Sequence, residues 1–293
     1  MRWDDFRRSD NVDDAGSGGG FGLGGGFRLG GGALIAVVVI SLLLGKNPLD
    51  VLTLLESGSP PTVQAPASSV APDGSGATAA NDPQRDFVRA IVGDTEDFWS
   101  AELARHGTHY QPPRLTLFHG QVASACGFAS AAMGPFYCAG DQRVYLDLRF
   151  FQELSQRFGA PGDFARAYVI AHEIGHHVQN QLGLMREVQQ KSADASAPVR
   201  NALSVRQELQ ADCFAGVWGH SAQQRGALDT SDIEQGIAAA ASVGDDRLQQ
   251  QARGYAVPES FTHGSSAQRV HWFRVGLSSG DLRQCNTFAA ATL

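Results

Sequence analysis

The chain has 293 residues, a formal net charge of −7 and a hydrophobic content of 43%, so it is long enough to bury the core of one large or two small domains. No long run of Lys or Arg accompanies this acidic balance, which argues against a protein that binds nucleic acid through a basic surface. Nucleic acid is therefore not an expected partner.

Residues 1–28 are predicted to be a disordered, Gly-rich cytoplasmic segment. Glycine fills much of residues 16–32, and the few apolar residues between the glycines cannot bury enough surface to order the chain. We therefore expect the folded part of the protein to begin further along the sequence.

Residues 29–45 contain no charged residue and are predicted to form one transmembrane helix. About 17 uncharged residues is the lower limit for crossing a bilayer as a helix. The alternative is the apolar core of a cleaved signal peptide, although no convincing small-x-small cleavage site follows it.

More basic residues precede this apolar stretch than follow it. Lys46 is the only one between the stretch and Arg85, whereas four precede it: Arg2, Arg7, Arg8 and Arg28. Under the positive-inside rule, the N-terminus is expected in the cytoplasm and the body of the protein outside it. The chain is therefore predicted to be a single-pass protein of the cell membrane.

Residues 46–82 are predicted to be an extended linker, because from residue 56 onward they are rich in Pro, Ala, Ser and Gly and contain no basic residue. Such a tether would space the folded part from the bilayer. The folded part is expected to occupy residues 83–293.

Residues 83–293 combine helical and extended patterns. Apolar residues recur at helical intervals over residues 85–104, where Gly93 is a candidate break. Four short runs then predict a small antiparallel sheet: 114–119, 121–125, 135–138 and 143–148. Further helices are predicted from an N-cap at Asp163 toward Gly183, over residues 205–220 and over residues 231–253. The predicted fold class is therefore a helix-dominated α+β domain.

His172, Glu173 and His176 form an H-E-x-x-H run inside the helix that follows Asp163. Side chains four residues apart lie on one face of a helix, so both imidazoles can reach a single metal ion with Glu173 beside it. This arrangement is typical of zinc peptidases, in which the glutamate takes a proton from water. The alternative is a pair of helix-face histidines that cap or pack.

A catalytic zinc site usually has three protein ligands, so a third ligand is expected downstream. The metzincin pattern would need a histidine where the sequence has Leu182. Glu208 and Asp212 share one face of a later helix, and Glu208 is the candidate third ligand. Asp212 could accept the second N–H of a ligand histidine. The alternative is a solvated pair of helix-face carboxylates.

All four cysteines follow the apolar stretch, and an even number on the outer side of a membrane predicts two disulfides. The favoured pairing is Cys126 with Cys138 and Cys213 with Cys285, because the first pair flanks a short hairpin-like stretch. Four buried free thiols are the alternative.

The runs His172-Glu-Ile-Gly-His176 and Glu208-Leu-Gln-Ala-Asp212 resemble the gluzincin signature of thermolysin and membrane-associated zinc peptidases. Across most of residues 83–293 the chain resembles more closely the bacterial neutral zinc metallopeptidase family, through segments such as 134–138, 144–147 and 263–269. The resemblance implies a zincin-like fold, a zinc ion and a membrane anchor, but it does not supply a substrate. A peptide or protein substrate is expected from the zinc-peptidase chemistry of the H-E-x-x-H run. It also implies His172, His176 and Glu208 as zinc ligands, Glu173 as general base and Asp212 as the group that orients a ligand histidine.

A peptidase also needs a donor for the developing oxyanion besides zinc. The candidates are Tyr255, His263, Arg269 and His271, and His263 is preferred because Gly264 and Ser265 place it on a loop. A surface histidine, or one satisfied in the core, is the alternative. For the whole protein, a non-catalytic binding module held by zinc or disulfides and a zinc amidase acting on the cell wall stay open. Glu173 favours an enzyme, since a structural zinc site has no use for a base.

Overall fold

The computed structural model describes residues 1–15 and 82–293, and in these residues the helix-dominated α+β class is confirmed. The helices are α1 (Pro83–Arg105), α2 (Arg149–Gln156), α3 (Asp163–Gln181), α4 (Leu184–Ser192), α5 (Ala197–Gln224), α6 (Thr230–Ser242), α7 (Asp245–Arg253) and α8 (Ser266–Ser279). The strands are β1 (Val12–Asp14), β2 (Arg114–Phe118), β3 (Gln121–Ser124), β4 (Gly127–Ser130), β5 (Phe136–Cys138) and β6 (Arg143–Asp147). Single turns of 3-10 helix lie at Ala131–Met133, Pro258–Ser260 and Leu282–Cys285.

Helix α3, which carries the H-E-x-x-H run, packs against α1, α5 and α6. The side chains that fill these contacts include the fully buried Trp99, Phe164, Tyr168 and Trp218. Burial of one large apolar side chain contributes roughly 1.5–3 kcal/mol. The main hydrophobic core therefore holds this helix against three neighbours.

Helices α5 and α8 cross closely because each has a glycine at the contact. A Cβ on Gly216 would lie 2.2 Å from the carbonyl oxygen of Phe273. A Cβ on Gly276 would lie 1.9 Å from the carbonyl oxygen of Cys213. Backbone therefore packs directly on backbone at this crossing, and neither position has room for a side chain.

The four cysteines form the two predicted disulfides. Cys213–Cys285 ties α5 to the 3-10 turn after α8, and Cys126–Cys138 ties the β3–β4 turn to β5. The predicted pairing is confirmed, and all four cysteines of the chain are bonded.

The predicted strands are present, but the larger sheet is mixed and the expectation of an antiparallel sheet is wrong for most of it. Its order is β1-β2-β6-β5, with β1, β2 and β6 parallel and only β5 antiparallel to β6. The chain between β2 and β6 is long enough for the crossover that parallel strands require. It also contains a separate antiparallel hairpin, β3–β4, whose second strand was not predicted.

Residues 1–15, here called the N-terminal segment, are folded against the domain, so the prediction of disorder is wrong for them. Val12 to Asp14 pair with Leu115 to Leu117 of β2, and Ser9 is fully buried. The sequence is Gly-rich only after residue 15. Before that point, Trp3, Arg7 and Arg8 have partners more than 75 positions away, such as Asp86 for Arg8, and local composition does not show them.

Helix boundaries differ from the prediction in several places. Gly162 is the N-cap of α3, and Asp163 is instead its first residue, whose carboxylate accepts a hydrogen bond from Trp3 Nε1 at 3.1 Å. Residues 231–253 form two helices, α6 and α7, because the chain turns at Val243 and Gly244. Helix α1 continues through Gly93, α4 was not predicted, and α5 begins earlier than expected.

The predicted transmembrane helix at 29–45 and almost all of the predicted linker at 46–82 lie outside the described residues. Within residues 1–15 and 82–293, no helix combines the length and apolar character needed to cross a bilayer. The side chain of Asp82 accepts a hydrogen bond from the Gln84 amide and caps α1.

Candidate metal centre

Three candidate ligand side chains converge from α3 and α5. His172 and His176 lie one turn apart on α3, and Glu208 lies on α5. Their ligand atoms are all within 4.8 Å of one another, and the group could hold a metal ion. The two helices approach closely at Gly175, where a Cβ would lie 3.1 Å from the carbonyl oxygen of Ala211.

The carboxylate of Glu208 bridges the two imidazoles. Its Oε2 lies 3.2 Å from His172 Nε2, and its Oε1 lies 3.4 Å from His176 Nε2. A tetrahedral zinc ion with bonds of about 2.0–2.1 Å sets its ligand atoms about 3.3–3.4 Å apart. Two imidazoles and one carboxylate are also a known donor set of catalytic zinc sites. The residues present therefore fit a zinc ion.

The other nitrogen of each imidazole has its own acceptor. His172 Nδ1 lies 2.9 Å from Asp212 Oδ1, and His176 Nδ1 lies 2.9 Å from Gln179 Oε1. A hydrogen bond from Nδ1–H leaves the lone pair on Nε2, which is the nitrogen that faces Glu208. The structure thus brings Asp212 to the position that the sequence predicts for it.

Sequence reasoning missed Gln179 as the partner of His176. Its side-chain amide donates to the carbonyl oxygen of Gln207 at 2.7 Å and to Gln210 Oε1 at 3.0 Å, so both ends of the amide are used. Gln179 lies three residues after His176, on the same face of α3. That spacing is the signal that could have identified it.

Asp212 is fully buried and accepts several hydrogen bonds at once. Arg269, on α8, donates to both carboxylate oxygens at 2.8 Å, and the Tyr168 hydroxyl donates to Oδ1. Arg269 also lies 3.3 Å from the Tyr168 oxygen. Asp212, on α5, is therefore held by groups from two other elements of the fold, α3 and α8.

These buried charges shift the pKa values of the metal-free site. Burial lowers the pKa of His172, but the Asp212 charge and the hydrogen bonds that Asp212 and Glu208 accept from the imidazole raise it to about 9. Burial raises the pKa of Glu208, but the adjacent His176 and His172 bring it well below the usual range. Burial likewise raises the pKa of Asp212, and Arg269 and His172 lower it more. Both carboxylates are therefore ionised at neutral pH.

Glu173 is next to His172 on α3, and 8% of it is exposed. In residues 1–15 and 82–293, no hydrogen bond or ion pair joins its carboxylate to another group. The carboxylate is thus not engaged by the neighbouring protein groups described.

The four oxyanion candidates occupy different environments. His263 Nδ1 lies 3.1 Å from Asp245 Oδ1, and its side chain is 42% exposed. Burial lowers the pKa of His263, but Asp245 and the charge of Glu208 raise it above the usual value. Arg269 is buried against Asp212, whereas Tyr255 and His271 are exposed and contact none of the candidate ligands. Of these four candidates, only His263 is a partly exposed group whose pKa is raised by the charge of Glu208.

The fold and the site define a class. An H-E-x-x-H helix and a glutamate from a second helix form a two-histidine, one-glutamate group of the zinc-peptidase type. The chain belongs to the family described as "Putative neutral zinc metallopeptidase", which it matches over residues 1–288.

Relatives of high similarity occur in bacteria. The "Uncharacterized protein YpfJ" of Escherichia coli strain K12 is 48% identical over 294 residues, covering 98% of this chain and 99% of that protein. The "Uncharacterized protein Rv2575" of Mycobacterium tuberculosis strain H37Rv is 49% identical over 195 residues, covering 63% of this chain and 65% of that protein. No solved structure matches the chain.

Proposed function

We propose that the protein is a zinc-dependent metallopeptidase that hydrolyses peptide bonds. The observation that carries the proposal is the convergence of His172, His176 and Glu208. Beside one of the histidines lies Glu173, whose carboxylate has no hydrogen bond or ion pair within residues 1–15 and 82–293. A structural zinc site normally closes all four positions with protein ligands, whereas three ligands suit a catalytic site. Family membership supports the same chemistry.

Zinc bound by this donor set would supply a Lewis acid that polarises the scissile carbonyl and makes water nucleophilic near neutral pH. Glu173 acts as general base: it accepts the proton of the attacking water and delivers it to the leaving amine. Asp212 and Gln179 hold the two imidazoles through their Nδ1 atoms. No covalent enzyme intermediate is required.

His263 is proposed as the donor to the developing oxyanion. Asp245 Oδ1 holds its Nδ1, and Asp245 Oδ2 accepts the backbone amides of Thr262 and His263 at 2.7 and 2.6 Å, which fixes the loop. Because the raised pKa keeps the imidazole protonated to higher pH, it can donate from Nε2. Tyr255 and His271 are not proposed for this role.

Cleavage of casein or a peptide library by the full-length protein, with elemental analysis of zinc, tests the proposal. Glu173→Gln should keep the zinc content and lose about 10²–10⁴-fold in kcat, because only the proton transfer is removed. His263→Ala should keep zinc and lose about 10²–10³-fold. Glu234→Gln, at an exposed position of α6, should change neither quantity and is the matched control.

Near-normal turnover by Glu173→Gln would remove the assigned base. A zinc-loaded protein that cleaves no peptide would favour the non-catalytic binding module. Hydrolysis of amide bonds in the cell wall, without cleavage of the peptide substrates, would indicate the zinc amidase instead.

We also propose that the domain lies outside the cytoplasm. Two disulfides support this location, since structural disulfides form and persist in oxidising compartments.

A further inference from the structure

We infer that the N-terminal segment lies in the same compartment as the metal centre, docked on its own domain as an integral edge of the fold. Backbone pairing, buried polar contacts and a glycine-dependent close approach all join this segment to residues 82–293. The flanking basic residues of the apolar stretch predict the opposite arrangement, with the two parts on different sides of a membrane.

The first set of contacts is backbone pairing. The Leu115 amide donates to the Asn11 carbonyl at 2.8 Å, and the Ala15 amide donates to the Leu117 carbonyl at 2.9 Å. Val12 lies between them with 7% exposure and joins the main hydrophobic core. The N-terminal segment thus covers an edge of β2 that would otherwise present unpaired backbone groups.

The second set of contacts satisfies a buried acid. Glu96 of α1 is 4% exposed. Arg7 Nη2, Ser9 Oγ and Asn11 Nδ2 each donate to its carboxylate at 2.7 Å. In the part of the chain that the structure describes, every hydrogen bond to this carboxylate comes from the N-terminal segment. A buried carboxylate without partners is costly, so α1 carries an acid suited to this segment.

The third contact depends on Gly93. A Cβ at this position would lie 2.1 Å from the Arg7 carbonyl oxygen and 3.2 Å from the Ser9 nitrogen. Glycine in a helix interior costs about 1 kcal/mol relative to alanine. The cost is offset here because only glycine lets the backbone of the N-terminal segment pass directly over α1.

Three of the four arginines that predict a cytoplasmic N-terminus hold the docked segment. Arg8 pairs with Asp86 at 2.8 Å, and Arg7 pairs with Asp97 at 2.9 Å. Arg2 donates to the Gly226 carbonyl oxygen. These charges therefore have partners on the domain surface, which gives them a role other than orientation of a membrane span.

Hydrogen bonds of 2.8–2.9 Å cannot join groups on opposite sides of a hydrocarbon layer about 30 Å thick. Residues 1–15 and 82–293 therefore lie on one side of any membrane that the chain meets. A single crossing is incompatible with the docked segment.

Labelling of full-length protein in intact cells tests the compartment. Asp10→Cys, at a side chain 99% exposed, reports on the N-terminal segment, and Lys191→Cys, 60% exposed on α4, reports on the domain. The native cysteines are all paired, so only the introduced thiol should react with a membrane-impermeant maleimide. Both variants should label to the same extent before lysis, and to the same extent after it. Labelling of one in intact cells and of the other only after lysis would overturn the inference.

A cross-link tests docking on the segment's own domain. Asp13 and Thr116 are register partners in β1 and β2, so Asp13→Cys with Thr116→Cys should form a disulfide within one chain, trapped by alkylation before lysis. Asp10→Cys with Thr116→Cys is the matched control and should stay reduced. Adding Gly93→Ala should abolish the bridge, whereas Ser100→Ala, exposed on the same helix, should not. Free thiols in the Asp13 pair, or a bridge between two chains, would contradict docking in this form.

Discussion

Arg269 completes a chain of hydrogen bonds that ends at His172. Its guanidinium is buried and donates to both oxygens of Asp212, whose Oδ1 faces His172 Nδ1. Sequence reasoning considered Arg269 as an oxyanion donor, but its two hydrogen bonds to Asp212 make it a positioning residue. Lysine could not reproduce that paired geometry.

Arg269→Lys should therefore weaken zinc binding about 10–100-fold, the range typical of changes behind a ligand histidine. Competition with a chromophoric chelator measures the affinity, and circular dichroism checks the fold. Arg274→Lys, exposed on the same helix, should bind zinc normally. Equal affinities for the two variants would contradict a positioning role for Arg269.

Asp147, like Asp212, is a buried carboxylate that accepts several hydrogen bonds. It is 2% exposed and accepts the amides of Gly120 and Arg149 at 2.9 Å, together with the Arg149 guanidinium. Burial raises the pKa of Asp147, but the Arg149 side chain and these amides lower it below the ordinary carboxyl value. A lowered folded-state pKa stabilises the fold above the unfolded pKa, and the stabilisation is lost as pH falls through the folded one.

Asp147→Asn should lower the free energy of unfolding by about 1–3 kcal/mol at pH 7, because it removes a charged acceptor from buried donors. The difference from wild type should shrink as the pH falls below about 3.9. Urea denaturation at several pH values measures it, with the exposed Asp194→Asn as control. If the difference in the free energy of unfolding stays constant down to pH 2, ionised Asp147 does not stabilise the fold more than protonated Asp147.

At the scale of single residues, the sequence predicts the candidate metal ligands better than it predicts the residues that hold those ligands in place. The four-residue spacing of His172 and His176, and of Glu208 and Asp212, follows from the helical period alone. Arg269 is 57 positions from Asp212, and no local pattern specifies that contact. The role of Gln179 was accessible in principle, since it lies within one turn of His176.

At the scale of elements, two glycines of α5 face neighbouring elements in different ways. A Cβ on Gly216 would meet the Phe273 backbone oxygen at 2.2 Å, whereas a Cβ on Gly219 would meet only the side-chain ends of Leu277 and Phe164, at 3.2 Å. Backbone cannot move aside without shifting the whole of α8. Side-chain ends can adjust at modest cost.

Gly216→Ala should therefore destabilise the protein by several kcal/mol or prevent its folding, while Gly219→Ala should cost about 1–3 kcal/mol as ordinary overpacking. Thermal and denaturant unfolding of both variants compare them within one helix. Similar losses at the two positions would show that the crossing adjusts more freely than its geometry indicates.

The strands illustrate what sequence patterns leave open. Short β-branched and aromatic runs predicted most strand positions, because they report on a pleated, half-buried backbone. They carry no information on which strands are neighbours. β1 has three residues, two of them Asp, and its pairing with β2 spans about a hundred positions, so no local pattern marks it as a strand.

At the scale of the whole molecule, the two disulfides close loops of very different length. Cys213 and Cys285 are 72 positions apart, and Cys126 and Cys138 are 12 apart. In the chain-entropy account, the longer loop contributes about 4 kcal/mol and the shorter about 3 kcal/mol. The longer bridge also ties α5, next to Asp212, to the C-terminal segment.

Replacing Cys213 and Cys285 by alanine should lower the free energy of unfolding more than replacing Cys126 and Cys138. It should also weaken zinc binding, because it loosens the helix that carries Glu208. Equilibrium unfolding and chelator competition on the two double variants measure both effects. Loss of zinc affinity only in the Cys126 variant would place the relevant constraint in the hairpin instead.

The hydrogen bonds that hold His172 and His176 run between protein groups, through Asp212, Arg269 and Gln179. The donor atoms are thus preorganised, and an entering ion has little rearrangement to impose on them. The metal-free protein should therefore take up cobalt on dialysis without an unfolding step. The visible absorption of cobalt would then turn the site into an optical probe of its own coordination.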